Sequence, residues 1–127
     1  MKLHLNHPHL ANQINAFSRK AERYEVKIGD ATYKKSLILT PHEIEMWKVN
    51  HVDELTQADF EHLAKIETEV ILLGTGDHCV FPNPLLTKPL IEKGIGLEVM
   101  DTAAACRTHS ILTGDGRHVT AALILPS

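Results

Sequence analysis

Two loop segments and one helix in this sequence carry residue types and spacings that could do chemistry. Gly74-Thr75-Gly76 follows the apolar run Val70 to Leu73, and Asp101-Thr102 follows a second run, Gly96 to Met100. Ligands of open parallel sheets bind beyond the carboxyl ends of the strands, so two such ends on neighbouring strands would form a crevice. Glycines there would let backbone N–H groups approach a ligand, and a helix starting near Thr102 would turn its positive end to an anion. Asp101 competes for that end, because a cap accounts for it as well as a ligand does. Arg107, further along the same helix, could hold a carboxylate or phosphate through two hydrogen bonds. It could equally pair with Asp101 or Glu98 and lock the fold. The binding set offered to a small anionic ligand is thus Gly74, Thr75, Gly76, Asp101, Thr102 and Arg107. The plainer reading is a turn, a cap and an ion pair.

The other candidates are weaker. Cys106 and His109 stand three apart on a helix, close enough for an imidazole to activate a thiol. Yet Cys106 follows three alanines, and free cysteine is among the most buried residue types, so a packed position is favoured. His4, His7 and His9 suggest a metal cluster, but Pro8 separates the last two and no cysteine joins them. Zinc sites want ligands held in fixed geometry, which this arm does not promise. Asp77-His78-Cys79 is a second such group with no more support. Gly74-Thr75-Gly76 is not a dinucleotide fingerprint. Cys79 stands where a third glycine is needed, and Pro82 and Pro84 forbid an immediate helix. No catalytic residue, metal set or cofactor emerges.

The elements that must position these residues follow from periodicity. Residues 1–13 are polar and read as an arm or a short edge strand. Tyr24, Val26 and Ile28 alternate with charged neighbours, Gly29-Asp30 makes a tight turn, and Thr32 to Leu39 returns until Pro41 breaks it. With Ile44 and Met46 alternating after that, residues 14–49 read as an antiparallel meander. Thr56 and Asp59 form a capping box, and Leu55 with Phe60 a staple, for a helix over 57–66. Val70 to Gly74 reads as a strand buried on both faces, and Gly96 to Met100 as a second. Between them Pro89 makes the helix short, kinked or late. A helix from Asp101 or Thr102 to about Leu112 and a strand from Val119 to Leu125 complete a βαβαβ portion. Residues 14–127 are expected to form one α/β domain.

Composition narrows the function classes. At 127 residues the chain can bury one core without a staple. Its net charge of −3 and the lack of any Lys/Arg run argue against a nucleic-acid partner. No stretch approaches the ~20 apolar residues of a membrane span, and the N-terminal residues lack the apolar segment of a signal peptide. Two cysteines point to a reducing compartment, hence to the cytoplasm.

Three blocks together resemble a known family: Gly74-Thr-Gly76, the segment Gly94-Ile-Gly-Leu-Glu-Val-Met-Asp-Thr-Ala-Ala-Ala-Cys-Arg-Thr108, and Gly116-Arg-His-Val-Thr-Ala-Ala-Leu123. The family is a small domain-of-unknown-function group that includes the mitochondrial complex I assembly factor 3 type and the adipogenesis-associated domain proteins. The resemblance covers about residues 14–125. It implies a three-layer α/β fold with a central mixed sheet, and no agreed catalytic residues. Eukaryotic relatives are linked to complex I assembly through protein contacts. His109-Ser110 departs from the pattern, which has an aromatic residue followed by Asn. The expectation is therefore an uncharacterised bacterial-type, non-catalytic interaction or assembly module with a protein partner. A binder or enzyme acting on a small anion in the crevice is the alternative.

Overall fold

The computed structural model describes residues 2–4, 13–20 and 23–126. Its strands are β1 (Lys2–His4), β2 (Ile14–Lys20), β3 (Arg23–Ile28), β4 (Ala31–Tyr33), β5 (Leu37–Leu39), β6 (Glu43–Met46), β7 (Val70–Gly74), β8 (Gly96–Met100) and β9 (Val119–Leu123). Its helices are α1 (Gln57–Leu63), α2 (Lys88–Lys93) and α3 (Thr102–Gly114). A six-stranded sheet runs in the order β1-β6-β5-β9-β7-β8, and β2-β3-β4 form a second sheet. In the large sheet β9, β7 and β8 are mutually parallel, while β5 meets β9 and β6 antiparallel. The mixed α/β architecture expected from the sequence is the one observed.

Strand alternation divides the core. Leu72, Ala121 and Leu123 face one side, where Ala105 and Cys106 of α3 and Tyr24, Val26 and Ile28 of the small sheet pack on them. Ile71, Leu73, Ala122 and Ile124 face the other, against Phe60 and Leu63 of α1 and Leu90 of α2. Burying a side chain such as Phe60 or Leu63 contributes about 2 kcal/mol. Because α2 and α3 lie on opposite faces, the chain leaves β7 toward one face and β8 toward the other. That reversal at adjacent parallel strands is the place where α/β sheets usually open a crevice.

Local signals explain the helix boundaries. Thr56 accepts from the Asp59 N–H while the Asp59 carboxylate accepts from the Thr56 N–H, closing the capping box. Leu55 and Phe60 are both buried beside it. A 3-10 turn over Pro84–Thr87 precedes α2, so Pro89 falls in the first helical turn, where a missing N–H costs nothing.

Three expectations need correction. The meander is split between sheets: the strand expected over Thr32 to Leu39 breaks into β4 and β5, and residues 34–36 cross from one sheet to the other. Buried Ser36 fixes that corner, its Oγ accepting from Leu125 N at 2.8 Å. Gly96 to Met100 is not buried on both faces; it is the outer strand of its sheet. The helix expected over 57–66 stops at Leu63.

Candidate functional site

The loops after β7 and β8 do converge, as two adjacent parallel strands require, but they are stitched together. Thr75 N–H donates to Met100 O at 2.9 Å, and Thr102 N–H donates to Gly76 O at 2.9 Å. Gly76 N–H donates to Thr102 Oγ1 at 2.8 Å, and that hydroxyl donates to Ile124 O at 2.8 Å. A Cβ on Gly74 would lie 2.9 Å from Thr102 Cα, so glycine is what lets α3 approach the strand this closely. Asp101 caps α3, accepting from Ala104 N at 2.8 Å. The glycine N–H and threonine groups proposed for a ligand thus meet one another in this structure. Thr102 is fully buried and Thr75 nearly so.

Arg107 is placed elsewhere. It lines a groove of about 480 Å³ between α3 and β2, with Ile14, Phe17, Cys106 and Ile111. It makes no ion pair with Asp101 or Glu98. It stands six positions after Asp101, which turns the two about 120° apart around the axis.

The loop leaving Gly76 is held in one shape. Thr75 Oγ1 accepts from Val80 N at 3.1 Å and donates to His78 O. Asp77 pairs with Arg19 of β2 at 2.7 Å, and Arg19 lies 5.6 Å from the centre of the Tyr24 ring. The Tyr24 hydroxyl accepting from Arg19, followed by the charge of Asp77, holds the Arg19 guanidinium above its ordinary value. Burial, then the hydrogen bond with Asp77, pushes the Tyr24 phenol up. Sequence reading missed this Arg19–Tyr24–Asp77 cluster, because Asp77 lies far along the chain from the other two and was weighed only with His78 and Cys79.

What this loop presents is apolar. Phe81 is 74% exposed, and across a groove of about 620 Å³ stands Ile91 at 72%. Leu85, between them in sequence, is 77% exposed. The groove floor is Leu90, Ile95, Leu97 and Val99. Large apolar residues gathered on one face mark interaction sites more often than single ones do. Trp47, by contrast, is buried.

Cys106 and His109 resolve as packing. Cys106 is buried, and desolvation pushes its thiol up to about 12 despite the opposing charge of Arg107. His109 is fully buried with neither ring nitrogen hydrogen-bonded. Burial pushes it down to about 4, so at neutral pH it holds no charge. A protonated thiol and a stranded imidazole do not make an activated pair. Cys79 is exposed, its Sγ 3.7 Å from Val99 O. Among the described residues no three His, Cys, Asp or Glu are placed to hold a metal ion, and no helix is long and apolar enough to cross a membrane. His7 and His9 lie outside the described residues.

Comparison with known proteins gives a consistent result. A family model described as protein of unknown function (DUF498/DUF598) matches residues 19–124. NADH dehydrogenase (ubiquinone) 1 alpha subcomplex assembly factor 3 of Bos taurus is 33% identical over 90 residues, covering 69% of this chain and 49% of its own length. The chain therefore spans about half the length of that relative. A Xanthomonas campestris protein solved by NMR is 34% identical with a TM-score of 0.71, over 87% of this chain and 83% of that one. A Bordetella pertussis structure described as an Mth938-like domain is 25% identical with a TM-score of 0.77, over 98% of this chain and 92% of that one.

Proposed function

Because the chain belongs to this family of proteins of unknown function (DUF498/DUF598), we propose that it serves as a non-catalytic interaction module that docks another protein on the apolar groove beside β8. The observation that carries the reading is the pair Phe81 and Ile91, each about three-quarters exposed and lining one groove, with Leu85 equally exposed in the turn between them. The relatives named assembly factors support the same class of role. The rest of the candidate chemistry weighs the same way: the thiol is buried and protonated, and the crevice groups are engaged with each other. The two free cysteines favour a reducing compartment such as the cytoplasm.

A quantitative retention assay tests this. The native chain, Phe81→Ser/Ile91→Ser and Ile111→Ser are immobilised and compared in native lysate. Ile111 is the control, being 65% exposed but on α3, away from the groove. The native chain and Ile111→Ser should retain one partner at matching stoichiometry, and the groove double variant should lose it by tenfold or more, as expected for apolar anchors. Equal retention by all three, or no stoichiometric partner, overturns the reading.

A further inference from the structure

The exposed set borders an open sheet edge, and the two features together specify a kind of partner. Among the described residues, strand β8 pairs only with β7. Gly96 N–H donates to Glu69 O at 3.3 Å and Met100 O accepts from Thr75 N at 2.9 Å, so the backbone groups at both ends of β8 face β7. Backbone direction alternates along a strand. The N–H and C=O groups of Leu97 and Val99 therefore point to the open edge. There, among the described residues, Val99 O meets only the weak Cys79 thiol. The strand reads Gly-Leu-Glu-Val-Met. It has no Pro or Lys, and Glu98 is its one charge against unselective pairing. The side chains of Leu97 and Val99 lie in the groove under Phe81 and Ile91.

Resting on the docking reading above, we propose that the partner enters as an extended segment that adds a strand to β8, its apolar residues in the groove and a basic residue beside Glu98. Main-chain bonds at an open edge with pockets for alternate side chains are the physical basis of strand addition. Glu98 is exposed at the middle of the strand and, among the described residues, has no ion pair. That charge also argues against a second copy of this chain. The two-fold antiparallel register that pairs all five residues would set Glu98 directly opposite its own copy, at the ~5 Å where like charges destabilise. The net charge of −3 adds to the repulsion.

NMR titration of the full chain with nine-residue peptides tests the proposal. One peptide alternates Val with Lys, a second alternates Val with Glu, and a third is the Val/Lys peptide N-methylated at alternate amides on its pairing edge. The Val/Lys peptide should shift the Leu97 and Val99 amides and slow their exchange, and the Val/Glu peptide should bind about fivefold more weakly. The exposed substitution Glu98→Lys should reverse that preference, and N-methylation should abolish binding. Equal binding of the first two peptides, or undiminished binding of the methylated one, overturns strand addition. So does protection of the Leu97 and Val99 amides by self-association alone, or failure of every peptide to bind. None of those outcomes touches the docking reading, which stands or falls on the retention assay with Phe81→Ser/Ile91→Ser.

Discussion

The crevice above β7 and β8 and the groove beside β8 share a strand but obey opposite rules. In the crevice polar groups are buried and paired with each other; in the groove large apolar groups are left in water. A buried, hydrogen-bonded contact is expensive to break, because each orphaned group costs about 1–3 kcal/mol. An exposed apolar side chain contributes little to folding, so its retention there needs another reason. The two regions are also mechanically linked. Thr75 and Gly76 belong to the crevice, and the loop that Thr75 and Asp77 hold carries Phe81 to the lip of the groove. The residues that looked most like a ligand site thus act as the mount for the apolar surface.

The comparison breaks most sharply at Gly74. A valine there would drive carbon atoms into Thr102, whose N–H and hydroxyl are both committed to hydrogen bonds, so the helix cannot retreat without orphaning them. Gly74→Val should cost about 4 kcal/mol, read as a fall in the urea midpoint. A variant as stable as the native chain would mean the crevice is looser than its hydrogen bonds imply, and the contrast with the groove would go with it.

The next effect tests whether satisfied polarity is confined to the first turn of α3. Two turns on, His109 is buried without a hydrogen bond to either nitrogen. Its folded value of about 4 lies below the ordinary 6.5. The unfolded chain therefore binds the proton first as pH falls. Stability should be level above pH 6.5, decline from 6.5 toward 4, and level off below, a loss of about 3 kcal/mol from this group. His109→Leu should remove that part of the acid limb and add about 1 kcal/mol at pH 7 by deleting the unpaired nitrogens. Parallel stability–pH curves for variant and native chain would show that the imidazole has a partner.

How much of this was legible follows the range of each interaction. The capping box of Thr56 and Asp59, the late start of α2 at Pro89 and the Asp101 cap are local rules, and the structure follows them. The convergence of the two loops was legible because strand, helix and strand in succession leave few topologies. The break between β4 and β5 was not, since the partner of Ser36 is Leu125, at the far end of the chain. Nor was the edge position of β8. A short strand with Leu97, Val99 and Met100 around one charge reads alike whether a neighbour covers it or not, and that ambiguity hid the groove. Arg107 illustrates a different failure. Nearness in sequence to Asp101 suggested a pair, but the helical turn sends the two side chains apart.

The smallest effect expected is no effect, and it sharpens the comparison from the ligand side. If the crevice bound an anion through Gly76 N–H, Thr102 and Arg107, the ligand at a hundredfold its Kd would add about 2.7 kcal/mol. On a chain of this size that raises Tm by roughly 10 °C. Phosphates, nucleotides and small carboxylates should instead leave Tm unchanged, because a ligand must first displace Thr102 from Gly76 N–H and Ile124 O. Arg107→Ala should also be neutral, given that Arg107 is exposed and lines the separate groove against β2. A compound that raises Tm in the native chain but not in Arg107→Ala would show that the crevice opens to bind. The paired hydrogen bonds described here would then be its resting state, and the loop that mounts Phe81 would move whenever the ligand arrived.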